Sequence, residues 1–317
     1  MESSPYAKLL RYPRTGWHPN TKFRMHVGYI ATCSAHPMTK YKLVALDIDG
    51  TLLDSSGQVS NRTKETIHAV SQTGVRILVA TGRRLCTARP LVLQLELPDI
   101  FLAAHNGAIL KELDGKFLYH RLLSRDIARQ TVAVAKDLGV CPIAFAGTHD
   151  DTTVLIEDYG DRIDEWQRAY LEENRRSLHQ VNDLATDLPS DVIEIVCVVS
   201  LADAHQITEA FETRMNQQVK PILVTTTDQN RAFIGLTNPN VSKREPLRYL
   251  TEEMNINPEE VLAIGDNYND LDMLNFAGVG IVMENAVPPL KQMGFHVTAS
   301  NDEDGVAKAL EEFVLES

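Results

Sequence analysis

Cysteine is scarce in this chain: four in 317 residues, Cys33, Cys86, Cys141 and Cys197, far apart and none in a CxxC pair. That spacing fits neither a disulfide framework nor a cysteine zinc site, and it matches reduced cytoplasmic thiols. Long apolar runs are also missing, none approaching the roughly 20 residues of a membrane-spanning helix. Basic residues are in deficit, 31 Lys and Arg against 43 Asp and Glu, for a formal net charge of −12. That balance argues against a nucleic-acid or anionic-membrane surface. A small anionic substrate stays open, because a metal ion or a few local cations reverse the sign within one cleft. No internal repeat or low-complexity tract occurs.

What is present is material for packing. Hydrophobic residues make up 44% of the sequence, enough for cores in about two domains at ~100–200 residues each. Residues 1–40 stand apart, with Lys8, Arg11, Arg14, Lys22, Arg24 and Lys40 against the single acid Glu2. They are expected to be a disordered extension or to precede the true start, for which Met38 is well placed; an organelle transit peptide is the alternative. From residue 42, strand and helix signals alternate. "LVAL" (43–46), "VRILVATG" (75–82) and "IFLAAHNG" (100–107) read as buried strands, with Ser60 capping a helix and Gly74 ending it. The rhythm returns after Lys243 with "VLAIGD" (261–266) and "VGIVM" as strands and a closing helix over 305–315. Strands alternating with helices imply a parallel, doubly wound sheet.

Between these halves the period changes. Asp114-Gly115 marks a hairpin, Ser124 caps a helix through Lys136, and "PIAFAG", "TVLIED", "VIEIVCVVS" and "KPILVTTT" read as strands. Helices are expected near 160–174 and 202–216, with "EDYGDRIDEWQ" (157–167) as a solvated helix face. The expected organisation is a core over 41–121 and 237–317, interrupted by an inserted α/β domain over 122–236.

Three strands end on reactive residues: Asp47-Ile48-Asp49-Gly50-Thr51, Thr81-Gly82-Arg83 and Gly265-Asp266-Asn267-Tyr268-Asn269-Asp270. In open parallel sheets, ligands bind beyond the carboxyl ends of the strands. Asp47, Asp49 and Asp266 offer hard oxygen ligands of the kind Mg2+ takes. Thr81 offers a hydroxyl and neighbouring amides to phosphate, and Lys243 offers a point charge for a transferring phosphoryl group. Asp47 is placed to attack phosphorus, and Asp49, one residue further round the turn, to move the proton of the leaving group and then of water. Taken singly, each piece has a plainer reading: an Asx turn for "DIDGT", a calcium loop or a helix cap for "GDNYND", a solvated side chain for Lys243. Their conjunction at strand and helix edges carries the argument.

The set "DIDGTLLDSSG", "ATGR", "NGA", "SK" and "GDNYNDLDM" resembles the haloacid dehalogenase-like (HAD) phosphatases, in particular their Cof-like branch, subfamily IIB, over roughly residues 41–315. The resemblance implies a Rossmann-like α/β core with an inserted α/β cap that sets specificity. It implies Asp47 as nucleophile and metal ligand, and Asp49 as general acid/base that also binds Mg2+ through its carbonyl. Asp266 and Asn267 would complete the metal site. Ile48 (through its backbone), Thr81, Gly82, Lys243 and Asn269 would hold the phosphoryl group, with Arg83 and Asn106 at the cap-facing edge and Asp270 orienting Lys243. One departure is Arg244, where this branch usually has glycine; it either narrows the cleft or points to solvent. His105 is read as structural, Cys86 as an inert thiol, and Tyr159, Trp166 and Tyr170 as core aromatics or ligand-stacking groups.

The implied function is Mg2+-dependent hydrolysis of small phosphorylated metabolites such as sugar phosphates, through an aspartyl-phosphate, by a cytoplasmic protein without nucleic-acid or membrane partners. The competing readings are a phosphotransferase or phosphomutase on the same scaffold and a metabolite-binding regulator without turnover. The intact Asp47/Asp49 pair argues against the regulator.

Overall fold

All four side chains of β1 (Leu43–Leu46) are fully buried. This is the physical origin of the unbroken apolar run: the strand is covered on both faces. The computed structural model describes residues 39–316 apart from 114, 148–152, 164–166, 169–170, 173–174 and 227–229. Contacts divide the chain into Met1–His36 and Pro37–Ser317, and every described residue lies in the second unit. Apart from 39 and 40, the N-terminal extension therefore falls outside the described residues, as do Asp114, Trp166 and Tyr170.

The first sheet has eight strands: β1, β2 (Arg76–Ala80), β3 (Ile100–Ala104), β4 (Ile109–Glu112), β5 (Phe117–His120), β12 (Val261–Gly265), β13 (Val279–Val282) and β14 (His296–Val297). Their order is β14-β13-β12-β1-β2-β3-β4-β5, parallel from β14 to β3 and antiparallel through the β4–β5 edge. Val44 and Leu46 pack on one face with Ile67, Val92, Val306 and Leu310, and Leu43 and Ala45 pack on the other with Leu247, Leu250 and Met273. Ser60 caps the helix Asn61–Gln72, accepting from Thr63 N, as the sequence predicts.

The chain leaves β1 for β2 and β3 on one side and later returns to β12, β13 and β14 on the other. The β1/β12 boundary is thus the topological switch point, where an open α/β sheet forms its ligand crevice.

The segment between β5 and β12 carries a second, six-stranded sheet, in the order β10-β11-β9-β6-β7-β8. Its strands are β6 (Pro142–Ala146), β7 (Thr153–Ile156), β8 (Leu178–Gln180), β9 (Glu194–Ser200), β10 (Lys220–Thr226) and β11 (Arg231–Thr237). The helices Arg125–Asp137 and Ala204–Met215 cover one face, packing on Ala144, Ala146, Ile195 and Cys197. The alternate residues Ile143, Phe145 and Val196 face the other way and join Ala108, Ile109 and Val241 of the core. The two connections to the core meet. Asn238 Nδ2 donates to Leu122 O at 2.9 Å, and Leu123 N donates to Val192 O at 2.8 Å.

Two sequence expectations need correction here. The strands β8 and β11 are additional to the four predicted. The helix expected near 160–174 starts later than predicted: Gly160–Arg162 is a single 3-10 turn and Ile163 is extended, while the described residues 167–168 and 171–172 are helical. The acidic segment is not simply a solvated face either, because Glu157 and Tyr159 are buried. Glu157 Oε1 accepts from Leu184 N at 2.6 Å, and the Tyr159 hydroxyl donates to Pro142 O at 2.5 Å. The buried phenol ties Tyr159, just ahead of the 3-10 turn, to the sheet.

Candidate active site

Asp47 follows the last residue of β1 and is 4% exposed. Its backbone N donates to Ile264 O at 3.1 Å, which sets it beside the end of β12. The chain then turns tightly through Ile48–Leu52, where Gly50 takes φ +78°. A Cβ on Gly50 would lie 2.4 Å from Asp266 Oδ2, so only glycine lets this turn approach the β12 carboxylate. Ile48 buries its side chain in the core and leaves its backbone at the turn.

Lys243 begins the helix Arg244–Met254 and is fully buried. Its ammonium donates to Asp47 Oδ1 at 2.6 Å and to Asp270 Oδ1 at 2.5 Å. The other Asp270 oxygen accepts from the backbone N of Asp266 and of Asn267, each at 3.0 Å. Asp47, Asp266 and Asp270 place carboxylate oxygens within 4.8 Å of one another. Thr51 Oγ1 donates to Asp266 Oδ1 at 3.2 Å.

Three acids around one cation leave the cluster short of positive charge. Burial, and after it the charge of Asp270, hold the Asp47 carboxyl well above its ordinary range, against the pull of Lys243. The same two causes push Asp266 up to about 6. Burial works against the Lys243 ammonium, but Asp270 and Asp47 outweigh it, so the lysine is held as a cation. Its single charge is shared between two acids, which is why the lysine rises while Asp47 rises too.

The ends of β2 and β3 form the opposite wall. Thr81 is fully buried; its N donates to Ala103 O at 2.9 Å, and its Oγ1 accepts from Arg83 N at 3.1 Å. Asn106 N donates to Thr81 O at 2.9 Å, and Asn106 Oδ1 accepts from Asn269 Nδ2 at 3.1 Å. Gly82 lies against this pair, since a Cβ there would be 3.0 Å from Asn106 Oδ1. Gly107, at φ +94°, brings the same turn against the residue before the lysine: a Cβ would sit 2.2 Å from Ser242 O. Thr81, Gly82, Asn106, Asn269 and Lys243 thus converge from four separate segments.

Asp49 and Arg83 form a second group. Arg83 Nε and Nη2 donate to the two Asp49 oxygens at 2.8 and 2.6 Å, a bidentate pair with the Asp49 side chain 55% exposed. Asp49 therefore stands at the mouth, outside the carboxylate cluster. Asn267 is exposed and turns its Oδ1 to Tyr268 N at 2.8 Å, capping its own turn instead of facing the cluster. Asp270 occupies that place as well as orienting Lys243. Arg244 stacks its guanidinium 5.5 Å from the Phe276 ring centroid, which fixes it on the core surface. Cys86 is half-buried.

A family model for haloacid dehalogenase-like hydrolases matches residues 44–310. The chain belongs to that family. This hydrolase is 29% identical over 283 residues to the 5-amino-6-(5-phospho-D-ribitylamino)uracil phosphatase YitU of Bacillus subtilis, covering 87% of this chain and 98% of the relative. It is 28% identical to the putative phosphatase YxeH of the same organism, covering 87% and 99%. Among solved structures, a haloacid dehalogenase-like hydrolase from Bacteroides thetaiotaomicron superposes with a TM-score of 0.71 at 28% identity, over 86% of this chain and 99% of that one. Family and relatives together identify an enzyme of the phosphatase type. No described helix of this hydrolase is long and apolar enough to cross a membrane.

Sequence reasoning named Thr51 at the end of β1 without giving it a role, and missed Glu194 altogether. Thr51 lies inside "DIDGT", and the motif itself was the signal for it. Glu194 of β9, whose Oε1 lies 2.5 Å from His105 Nδ1, carries no local signal at all.

Proposed function

We propose that this chain is a Mg2+-dependent phosphomonoester hydrolase of small phosphorylated metabolites, acting in the cytoplasm through an aspartyl-phosphate on Asp47. The core would comprise 41–121 and 237–317, with 122–236 as the cap that selects the leaving group. The observation that carries the reading is the buried carboxylate Asp47 held by Lys243 at 2.6 Å, close to the linked polar residues Thr81, Asn106 and Asn269. Asp47 attacks phosphorus; Lys243 and the Thr81–Asn106–Asn269 wall hold the transferring oxygens. Asp49 at the mouth gives its proton to the leaving oxygen and takes one from water, with Arg83 orienting it. That two relatives are named for phosphatases of a phosphorylated ribitylaminouracil supports a substrate bearing a sugar-like chain.

The donor set suits a hard dication. Three carboxylates lie within 4.8 Å, and two of them are held above their ordinary range even though Lys243 pulls both down, so one ammonium does not balance the cluster. Asp47, Asp266 and Asp270 would hold Mg2+, with the Asp49 carbonyl beside them, and the ion would neutralise charge on the phosphate oxygens.

The test is phosphate release from a panel of sugar phosphates, nucleotides and a chromogenic phosphomonoester. Release that stops with a chelator and returns with Mg2+ is expected; release indifferent to chelation would remove the metal from the reading. A metal-binding corollary follows from the raised acids. Below about pH 6 Asp266 is protonated in the metal-free protein, so Mg2+ must displace that proton. The rise in melting temperature produced by saturating Mg2+ at pH 7 is expected to shrink on going to pH 5. A rise of equal size at both pH values would contradict the assignment.

Asp49→Asn is expected to lower kcat by about 10²–10⁴-fold through lost proton transfer. Its pair with Arg83 is exposed, so stability should change by no more than ~0.5 kcal/mol. Kinetics and a thermal melt on one preparation separate the two, and unchanged kcat would remove Asp49 as acid/base.

A further inference from the structure

Three consecutive residues after β3 have positive φ: His105 (51°), Asn106 (55°) and Gly107 (94°). Two of them carry side chains; asparagine tolerates the left-handed region, but histidine adopts it only at a cost. The turn therefore has to be held. Three backbone bonds do part of this: His105 N to Arg83 O and Asn106 N to Thr81 O, both at 2.9 Å, and Ala108 N to His105 O at 3.1 Å.

A further hold comes from the inserted domain. The His105 ring is fully buried, and its Nδ1 lies 2.5 Å from Oε1 of Glu194, the first residue of β9, itself 7% exposed. Glu194 shares the face of β9 that carries Val196 and meets the core. Its carboxylate fits a slot in the neighbouring strand β11, where a Cβ on Gly235 would lie 3.0 Å from Oε2. Phe145 of β6 adds to the grip, with its ring centroid 6.0 Å from that of His105 and 4.7 Å from the Arg84 guanidinium. The inserted domain thus clasps both turns that carry the phosphate-binding wall, one after β2 and one after β3.

We propose that Glu194 is a positioning residue: through His105 it fixes the left-handed turn that presents Asn106, so that seating of the inserted domain sets the geometry of the phosphate site. This rests on the phosphatase reading above for the identity of the ligand, and it goes further in assigning the control of that site to a residue of the inserted domain. Glu194 itself touches no reacting atom. A burial role alone would alter how much protein folds, whereas a positioning role alters how tightly the folded protein holds phosphate.

The experiment compares wild type, Glu194→Ala, Glu194→Gln and Asn106→Ala, and combines each Glu194 change with Asn106→Ala. Binding of inorganic phosphate is measured by calorimetry with Mg2+ in excess, alongside KM and kcat for a chromogenic phosphomonoester and a thermal melt. Glu194→Ala is expected to raise both the phosphate Kd and KM about tenfold in the folded protein. Glu194→Gln, which keeps an oxygen for the imidazole N–H, should recover to within about threefold of wild type. In the Asn106→Ala background the Glu194 change should add little, because its effect passes through Asn106. Unchanged Kd and KM with a lower kcat, or losses that simply add, would overturn the proposal. If Glu194→Ala does not fold, Glu194→Asp, one methylene shorter, takes its place in the same cycle with the same criteria. A wild type that binds phosphate yet hydrolyses no monoester would refute the phosphatase reading while the Kd ratios still decide this one. A wild type that binds no phosphate would overturn both.

Discussion

Asp47→Asn is expected to reduce phosphate release by about 10⁴-fold or more, since an amide cannot act as the nucleophile and no neighbouring group substitutes for it. Asp270 is the only other acid on Lys243 among the described residues, and it is held by the backbone of Asp266 and Asn267. The fold should survive, because asparagine is isosteric and keeps an oxygen for the lysine. The sign of the stability change follows from the raised Asp47 carboxyl. A carboxyl whose folded value exceeds its unfolded one stabilises the fold only at low pH, and that contribution is lost as pH rises through the folded value. Neutral pH lies above the unfolded carboxylate range, so without metal the raised Asp47 carboxyl is a liability there, and the asparagine variant should melt at or above wild type in chelator. Residual turnover above about one per cent of wild type would exclude Asp47 as the nucleophile.

Lys243→Met is expected to have the largest effect on stability. The ammonium is fully buried and holds two carboxylates at 2.6 and 2.5 Å. Removing one partner of a buried ionic group costs about 3–5 kcal/mol, because the remaining charges stay buried and uncompensated. Here three acids within 4.8 Å would lose their common cation, so the metal-free variant should melt far below wild type. Mg2+ should recover much of that loss by restoring positive charge, while turnover stays low for want of the group that holds the transferring oxygens. Chelated and Mg2+-loaded melts decide this, and a metal-free melting temperature equal to wild type would show that Lys243 does not balance the cluster.

The catalytic half of the molecule was legible because its signals are local. An apolar run covered on both faces and stopped by a carboxylate defines β1 and Asp47 together, and "TGR" and "GDNYND" do the same for β2 and β12. Within those motifs, the finer division of labour was less visible. Asn267 and Asp270 are three residues apart, and which of them faces the cluster depends on a capping turn whose geometry composition does not specify. The segment between β5 and β12 was harder. β11 escaped because Gly235 interrupts "RAFIGLT", yet that glycine leaves room for the Glu194 carboxylate. Glu194 itself sits in "VIEIVCVVS", where a single acid in an otherwise unbroken apolar run gives no sign of its partner. Its partner is 89 residues away, and no window on the sequence contains both. His105, read as structural, does lie fully buried, but its partner came only with the tertiary contact.

The meeting of the two connections at Leu122 and Asn238 has a consequence for how such a molecule can change over generations. An insert that departs and returns through one hydrogen-bonded point is a side branch of the chain. Its length and fold can be exchanged with little change in the closure entropy of the core, since the ends to be joined are already adjacent. On the function proposed above, chemistry and selectivity then lie on separable stretches of gene. The coupling between them runs through the shared apolar cluster and the Glu194–His105 contact, and a transplanted insert would have to supply its own counterpart to each.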